Sequence, residues 1–113
     1  MTNYSRGDVV LVSFVFADKT GAKQRPAVII SSDIYHQQRQ ETIISAITSR
    51  IDRILISDYL LNAWQEAGLL YPSVATGIIR TIKQNMVVRK LGRISPDDLK
   101  EIDKQLGIAL GIA

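Results

Sequence analysis

The 113-residue chain has no cysteine and a single histidine, and both shortages narrow the chemistry that it can support. Without cysteine there are no disulfides, no thiolate catalysis, no iron–sulfur cluster and no thiolate-ligated zinc. With His36 alone, a two-histidine acid–base mechanism is excluded, and a metal site built from several histidines needs partner chains. We therefore expect neither a metal nor a cofactor.

Long hydrophobic runs are also missing from the chain. No segment stays apolar for the roughly 18 consecutive residues that a membrane span requires, and the first eight residues lack the apolar core of a signal peptide. The apolar fraction of 46% and the charged fraction of 22% are those of an ordinary soluble protein. These features predict a cytoplasmic protein with one domain, residues 1–113, and no membrane contact.

The charge is small in total but unevenly distributed. Fourteen Lys and Arg face eleven Asp and Glu, a net charge of +3, and eight of the fourteen are Arg. Residues 95–113 carry −2, so residues 1–94 carry +5. Because the planar guanidinium binds phosphate oxygens in pairs, a basic body of this kind suits nucleic acid. It equally suits an ordinary solvated surface, so charge alone does not decide between them.

Hydrophobic patterning predicts a small, mostly antiparallel β-barrel with helical additions. The β-branched and aromatic segments 8–16 and 27–31 predict two strands joined by the turn-rich segment 17–23. Pro26 is predicted at the first residue of the second strand, because proline cannot donate to a sheet ladder. The polar segment 33–39 is predicted as a loop or turn, and His36 within it as a solvated histidine. Further strands are predicted at 40–49, 73–79 and 86–91.

Two helices are predicted. Ser95, Pro96 and two following aspartates have the composition of a helix N-terminus, and apolar residues then recur at helical spacing to the end of the chain. A second helix is predicted over 58–68, with Asp58 as its cap and Gly68 as its stop. Trp64 lies on its apolar face, which favours core or dimer packing over base stacking.

Several short motifs occur in an order that resembles a known family. Gly-Asp at residues 7–8, Arg-Pro-Ala at 25–27, Ile-Thr-Ser at 47–49 and Leu-Gly-Arg at 91–93 are all present. Together they resemble the MazF/PemK toxins of bacterial toxin–antitoxin pairs, over nearly the whole chain. The resemblance implies an SH3-like barrel that forms a homodimer and cuts single-stranded RNA at short motifs without a metal. It also implies a cognate antitoxin that inhibits the toxin by lying across the RNA grooves.

Arg25 and Thr48 are the candidate catalytic residues. RNA can be cut by its own 2′-hydroxyl if the protein neutralises charge on a five-coordinate phosphate. The Arg25 guanidinium can do this, and the Thr48 hydroxyl can donate to the same phosphate. The family mechanism gives the matching arginine acid–base work, whereas its permanent charge favours an electrostatic role. The alternatives are a surface ion pair for Arg25 and simple β-propensity for Thr48.

The remaining basic candidates are RNA contacts, and each has a structural alternative. Lys19 and Lys23 either close over RNA or keep the hairpin tip soluble. Arg50, with its neighbour Arg53, either extends a basic groove or pairs with Asp52 or Asp58. Arg80 stands where some family members carry an acidic residue, and it either grips a phosphate or pairs with one of the same two aspartates.

The chain departs from the family in one respect that bears on mechanism. Segment 20–24 lacks the carboxylate that some members carry before the Arg-Pro pair, so no general base is evident. Two alternative functions follow: a non-catalytic toxin of DNA gyrase with the related CcdB fold, and a barrel that binds RNA without cutting it.

Overall fold

The computed structural model describes residues 4–15 and 21–112. The described elements are, in chain order, β1 (Asp8–Val15), β2 (Ala22–Ile29), α1 (Asp33–Gln38), β3 (Glu41–Thr48), β4 (Tyr59–Leu60), β5 (Val74–Lys83), β6 (Val87–Arg93) and α2 (Pro96–Leu110). A single 3₁₀ turn, Gln84–Met86, joins β5 to β6. Neither of these helices is long and apolar enough to cross a bilayer.

The strands form one antiparallel sheet in the order β4-β5-β3-β2-β1-β6. This confirms the predicted mostly-β fold with a C-terminal helix. The predicted barrel closure is absent within the described chain, because β4 and β6 lie at opposite edges and do not pair with each other. β4 has only two residues, too few to carry a ladder across to β6.

Apolar residues pack on both faces of this sheet. Successive strand residues point to opposite faces, so Val9 and Val28 enter one cluster while Val10 and Ala27 enter another. α2 covers the first cluster through Ile102, and Trp64 packs against the same cluster, as the core interpretation predicted. Full burial of such a side chain is worth about 1.5–3 kcal/mol, so both faces stabilise the sheet.

The segment predicted as a loop at 33–39 is the helix α1. Ser32 caps it, its side chain accepting the Tyr35 backbone N–H at 3.2 Å. Six residues are too short for an apolar period to show, so the cap was the available signal.

The helix predicted over 58–68 does not form. Tyr59 and Leu60 pair with β5, and turns carry the chain to Gly68. The Asp98 carboxylate accepts the backbone N–H groups of Asn62 and Ala63, at 3.2 and 2.9 Å. These contacts from a distant helix override the local pattern.

Gly68, predicted as a helix stop, and Gly92, in the Leu-Gly-Arg motif, allow close approach of two backbones. A Cβ on Gly68 would lie 2.1 Å from the Leu91 carbonyl oxygen, and one on Gly92 would lie 2.3 Å from that of Ala67. Gly68 also has φ +86°, which disfavours any side chain. Both positions require glycine.

Pro26 lies inside β2 rather than at its first residue. β2 begins at Ala22, and Pro26 faces Leu11 of β1. Pairing of β2 with β3 involves only Ala27, Val28 and Ile29. The edge of β2 before Ala27 is therefore open on that side, where a missing N–H is tolerated. Residues 16–20, which are the end of the first predicted strand and most of the turn predicted at 17–23, lie outside the described residues. Ala22 and Lys23, predicted in the turn, belong to β2.

Candidate active site

The register of the sheet relates the position of Arg25 to that of Thr48, although the β2–β3 ladder ends before it reaches them. The β2–β3 pairs are Ala27 with Ala46 and Ile29 with Ile44. Continued two residues past the last pair, this register sets Arg25 opposite Thr48, with both on the same face. Two residues separated by 23 positions in sequence thus lie on one face of the sheet, just beyond the paired segment of β2 and β3.

Arg25 presents an unneutralised cation there. The residue is exposed, and no carboxylate of residues 4–15 or 21–112 forms an ion pair with it. The alternative of a surface ion pair is therefore not seen in the described chain. A free guanidinium in this position can bind two oxygens of a phosphate.

Thr48 is half-buried at the end of β3, and its hydroxyl is already oriented by the backbone. Its Oγ1 accepts the Arg50 N–H at 3.1 Å. One lone pair is thereby used, and the hydroxyl hydrogen remains available to donate to a ligand.

Arg80 extends the same face. It pairs with Ile44 in the β3–β5 ladder, and its guanidinium carbon lies 4.7 Å from the centre of the Phe14 ring. Phe14 lies two residues beyond Val12, the β1 partner of Arg25. Arg80 does not take the alternative of pairing with Asp58, whose carboxylate accepts the Leu55 and Gly77 backbone N–H groups instead.

The other predicted RNA contacts have different surroundings in the structure. Arg50 pairs with Asp52 at 3.6 Å on an exposed surface, which is the structural alternative predicted for it. A solvent-exposed ion pair of this kind contributes little to the stability of the fold. Lys23 is exposed in β2 opposite Phe14 and therefore lies beside Arg25 and Arg80. Lys19 lies outside the described residues.

His36 is buried, so its prediction as a solvated loop histidine was wrong. It is 5% exposed, and its Nε2 lies 2.6 Å from Ser31 Oγ and 2.9 Å from Thr42 Oγ1. The Ser31 Oγ also accepts the Ile43 N–H at 2.9 Å. This polar cluster ties α1 to β3. The N-cap at Ser32 was the one sequence signal that could have placed His36 on a helix.

The described residues contain no group of three or more His, Cys, Asp or Glu that could hold a metal ion. The chemistry available on the Arg25 face is that of fixed cations, an aromatic ring and a hydroxyl. These groups have the chemistry needed to bind and polarise a phosphodiester.

These features together define a class of small protein: one antiparallel sheet, a terminal helix and a face whose chemistry suits phosphate. The chain belongs to the PemK-like, MazF-like toxin family of type II toxin–antitoxin systems, whose model matches residues 5–110. It is 32% identical over 111 residues to Endoribonuclease MazF of Staphylococcus saprophyticus, covering 95% of this chain and 91% of the relative. These matches do not favour the gyrase-directed alternative.

Solved structures share the fold. A MazE–MazF structure from Deinococcus radiodurans has a TM-score of 0.81 at 21% identity, with 99% of this chain and all of that chain covered. An endoribonuclease in complex with its cognate antitoxin, from a mycobacterial species, has a TM-score of 0.78 at 18% identity, with 97% of each chain covered.

Proposed function

We propose that this toxin is a sequence-specific, metal-independent endoribonuclease that cuts single-stranded RNA, with Arg25 and Thr48 as its catalytic residues. The observation that supports the proposal is the β2–β3 register, which, continued past its last pair, aligns the position of Arg25 with that of Thr48. Arg25 also has no ion pair among the described residues. The relative named as an endoribonuclease supports the reaction class.

The reaction uses the nucleophile of the substrate. The 2′-oxygen attacks the adjacent phosphorus and loses its proton, and the bond from phosphorus to the 5′-oxygen breaks as that oxygen gains a proton. The products are a 2′,3′-cyclic phosphate and a 5′-hydroxyl. Arg25 stabilises the negative charge that builds on the phosphate oxygens in between, and Thr48 donates its hydroxyl hydrogen to the same phosphate.

The neighbouring cations bind the rest of the RNA strand. Arg80, held against Phe14, and Lys23, opposite Phe14, lie on the same face and contact flanking phosphates. Arg50 contributes less, because Asp52 offsets its charge. Lys19 keeps its predicted role as a contact from the hairpin tip.

The proposed partners follow from the family and its solved structures. A cognate antitoxin protein binds and inhibits this toxin; the mycobacterial endoribonuclease of similar fold was likewise solved in complex with its cognate antitoxin. The active form is a homodimer, which covers apolar surface that a chain of this size leaves exposed. The RNA substrate places the protein in the cytoplasm.

Substitution of Arg25 tests the proposal. We expect Arg25→Ala to lower the cleavage rate on single-stranded RNA by about 10²–10³-fold, the usual cost of one lost transition-state donor. Arg25→Lys keeps the charge without the two-pronged fork and should retain part of the activity. Primer extension on a long RNA measures both the rate and the cut motif, and excess chelator should leave the wild-type rate unchanged.

Two results would contradict this proposal. Full cleavage by Arg25→Ala removes the residue from the mechanism, and loss of cleavage on adding chelator shows a metal-dependent reaction. Salt-sensitive RNA binding with no new 5′ ends identifies the binding-only alternative.

A further inference from the structure

A second concentration of positive charge lies away from Arg25. An open groove of about 980 Å³ runs between the end of α1, the turn after β5 and the edge strand β6. We call it the distal groove. Four of its lining residues are cations, and no Asp or Glu lines it within the described chain; the cations are Arg39, Lys83, Arg89 and Lys90.

Two nearby carboxylates fix these side chains without neutralising the groove. Glu41 accepts Arg39 and Lys83, both at 2.9 Å. The buried Asp8 lies 3.2 Å from the Lys90 ammonium. Glu41 thus offsets one of the four positive charges, while Asp8 is shared between Lys90 and Arg93, which lies closer to it at 2.7 Å and does not line the groove. Arg89 is exposed and has no ion pair with any residue that the structure describes.

The distal groove extends along the sheet from the neighbourhood of the Arg25 site. Arg89 pairs with Leu11, next to the β1 partner of Arg25, whereas Lys83 pairs with Glu41. Glu41 begins β3 and Thr48 ends it. At about 3.3 Å per residue these two positions are about 23 Å apart. A ligand that reaches both places is therefore extended and carries negative charge along its length.

We propose that the distal groove binds the sugar–phosphate backbone of single-stranded RNA outside the cleavage motif, so that long substrates bind more tightly than short ones. This inference rests on the proposed function, since it takes RNA as the substrate. Guanidinium and ammonium groups with few opposing carboxylates are suited to successive phosphates. The rest of the lining is partly apolar and contains no acidic side chain; it consists of His36, Tyr4, Val88 and amide side chains.

The test compares RNA affinities of matched variants. The probe is a fluorescent 40-nucleotide RNA with 2′-O-methyl groups throughout, which has no nucleophile and stays intact; an oligonucleotide of about six nucleotides with the same modification is the reference. Arg89→Gln removes the cation without an ion pair, and a double variant adds Lys83→Gln. Lys100→Gln on α2, an exposed lysine outside the groove, is the control for net charge.

We expect each lost phosphate contact to weaken long-RNA binding by about fivefold at 0.1 M monovalent salt, because the slope per contact is roughly 0.7 for single strands. The double variant should then bind about 25-fold more weakly, with a salt slope lower by about 1.4. The affinity ratio of long to short RNA should fall in step. Lys100→Gln should match the wild type.

Three results would overturn the inference. One is long-RNA affinity within twofold of the wild type for both groove variants. Another is an equal loss for Lys100→Gln, which would reflect net charge alone. The third is displacement of the fluorescent RNA from the wild type by polyglutamate, together with unchanged RNA binding in both groove variants. That pattern would assign the groove to an acidic protein segment.

The outcome is independent of the cleavage assay. Because the probe cannot be cut, the binding result stands even if Arg25→Ala proves fully active. Conversely, an inactive Arg25→Ala with unaltered groove variants would retain the proposed function and remove the distal groove from it.

Discussion

Arg25 owes its position to the proline that follows it. Proline disfavours the helical region for the preceding residue, so Arg25 is extended and belongs to a strand. Pairing with β3 then begins only at Ala27, which leaves the Arg25 side of β2 open to a ligand. The position of the Arg25 cation therefore follows from two features: the restriction that Pro26 imposes on the preceding residue, and the end of the β2–β3 pairing at Ala27.

Thr48 provides a second test at this scale. We expect Thr48→Val, which keeps the β-branched shape, to lower cleavage by about tenfold through loss of one neutral donor. Thr48→Ser keeps the hydroxyl and should stay close to the wild type. Single-turnover cleavage of a short RNA measures both, and equal rates for valine and wild type would remove the hydroxyl from the mechanism.

Residue chemistry was partly predictable from the sequence. Arg25 and Thr48 were singled out because their motifs are local and their chemistry is specific, and their catalytic role stays a prediction. The burial of His36 was missed, because its partner Thr42 is supplied by a strand that follows in sequence. A buried polar cluster depends on several segments at once, and no single segment shows it.

At the scale of elements, local signals succeeded where the element carries its own caps. α2 begins as predicted, with Ser95 Oγ accepting the Asp98 N–H at 3.1 Å. The helix prediction for segment 58–68 was wrong because its apolar spacing is helical, whereas two of its backbone N–H groups donate to a residue outside the segment. Asp98 is the residue responsible, since its carboxylate also accepts the Tyr59 hydroxyl at 2.7 Å.

The Tyr59–Asp98 contact between β4 and α2 predicts a dependence on alkaline pH. Burial, and then the hydrogen bond to Asp98, raise the pKa of Tyr59 to about 12. The unfolded chain has the usual tyrosine pKa of about 10. The stabilisation is thus fully present below about pH 10 and is lost as pH rises towards 12.

Tyr59→Phe isolates this effect. At pH 8 we expect the variant to be less stable by about 1 kcal/mol, the net worth of one hydrogen bond. The difference should shrink between pH 10 and 12, because only the wild type loses the contribution. Urea unfolding at a series of pH values measures it, and a constant difference across that range would contradict the assignment.

At the scale of the whole molecule, the strand content was predictable and the closure of the sheet was not. Five of the six described strands are visible in their own apolar patterns, whereas β4 lies in a segment whose pattern is helical. Whether β6 returns to β4 depends on twist and on the length of β4, which no local pattern encodes. The distal groove belongs to the same category, because it joins α1, the 3₁₀ turn and β6 from three parts of the chain.

The exposed apolar surface supports a test of the proposed homodimer. Ile56 is 83% exposed and Ile78 is 61% exposed, and the chain at Ile56 lies against Gly77, next to Ile78. We expect Ile56→Lys with Ile78→Lys to weaken association by at least tenfold, because burial of each isoleucine is worth about 1.5–3 kcal/mol. Sedimentation velocity over a concentration series measures this.

The control for that test is Ile34→Lys, an equally apolar and exposed residue on α1. It should leave the sedimentation profile unchanged. A dimer that persists in the double variant would place the interface on another surface.

The contact of Arg80 with Phe14 has a consequence for the thermodynamics of capture. A long cationic side chain ordinarily gives up about 0.5–1.5 kcal/mol of rotational freedom when a ligand immobilises it. Here the Phe14 ring restrains the Arg80 guanidinium before any RNA binds, so this rotational freedom is lost on folding and not on binding. Arg80 is therefore already ordered when its ligand arrives. Removing the Phe14 ring would leave the association rate unchanged and would shorten the lifetime of each bound complex.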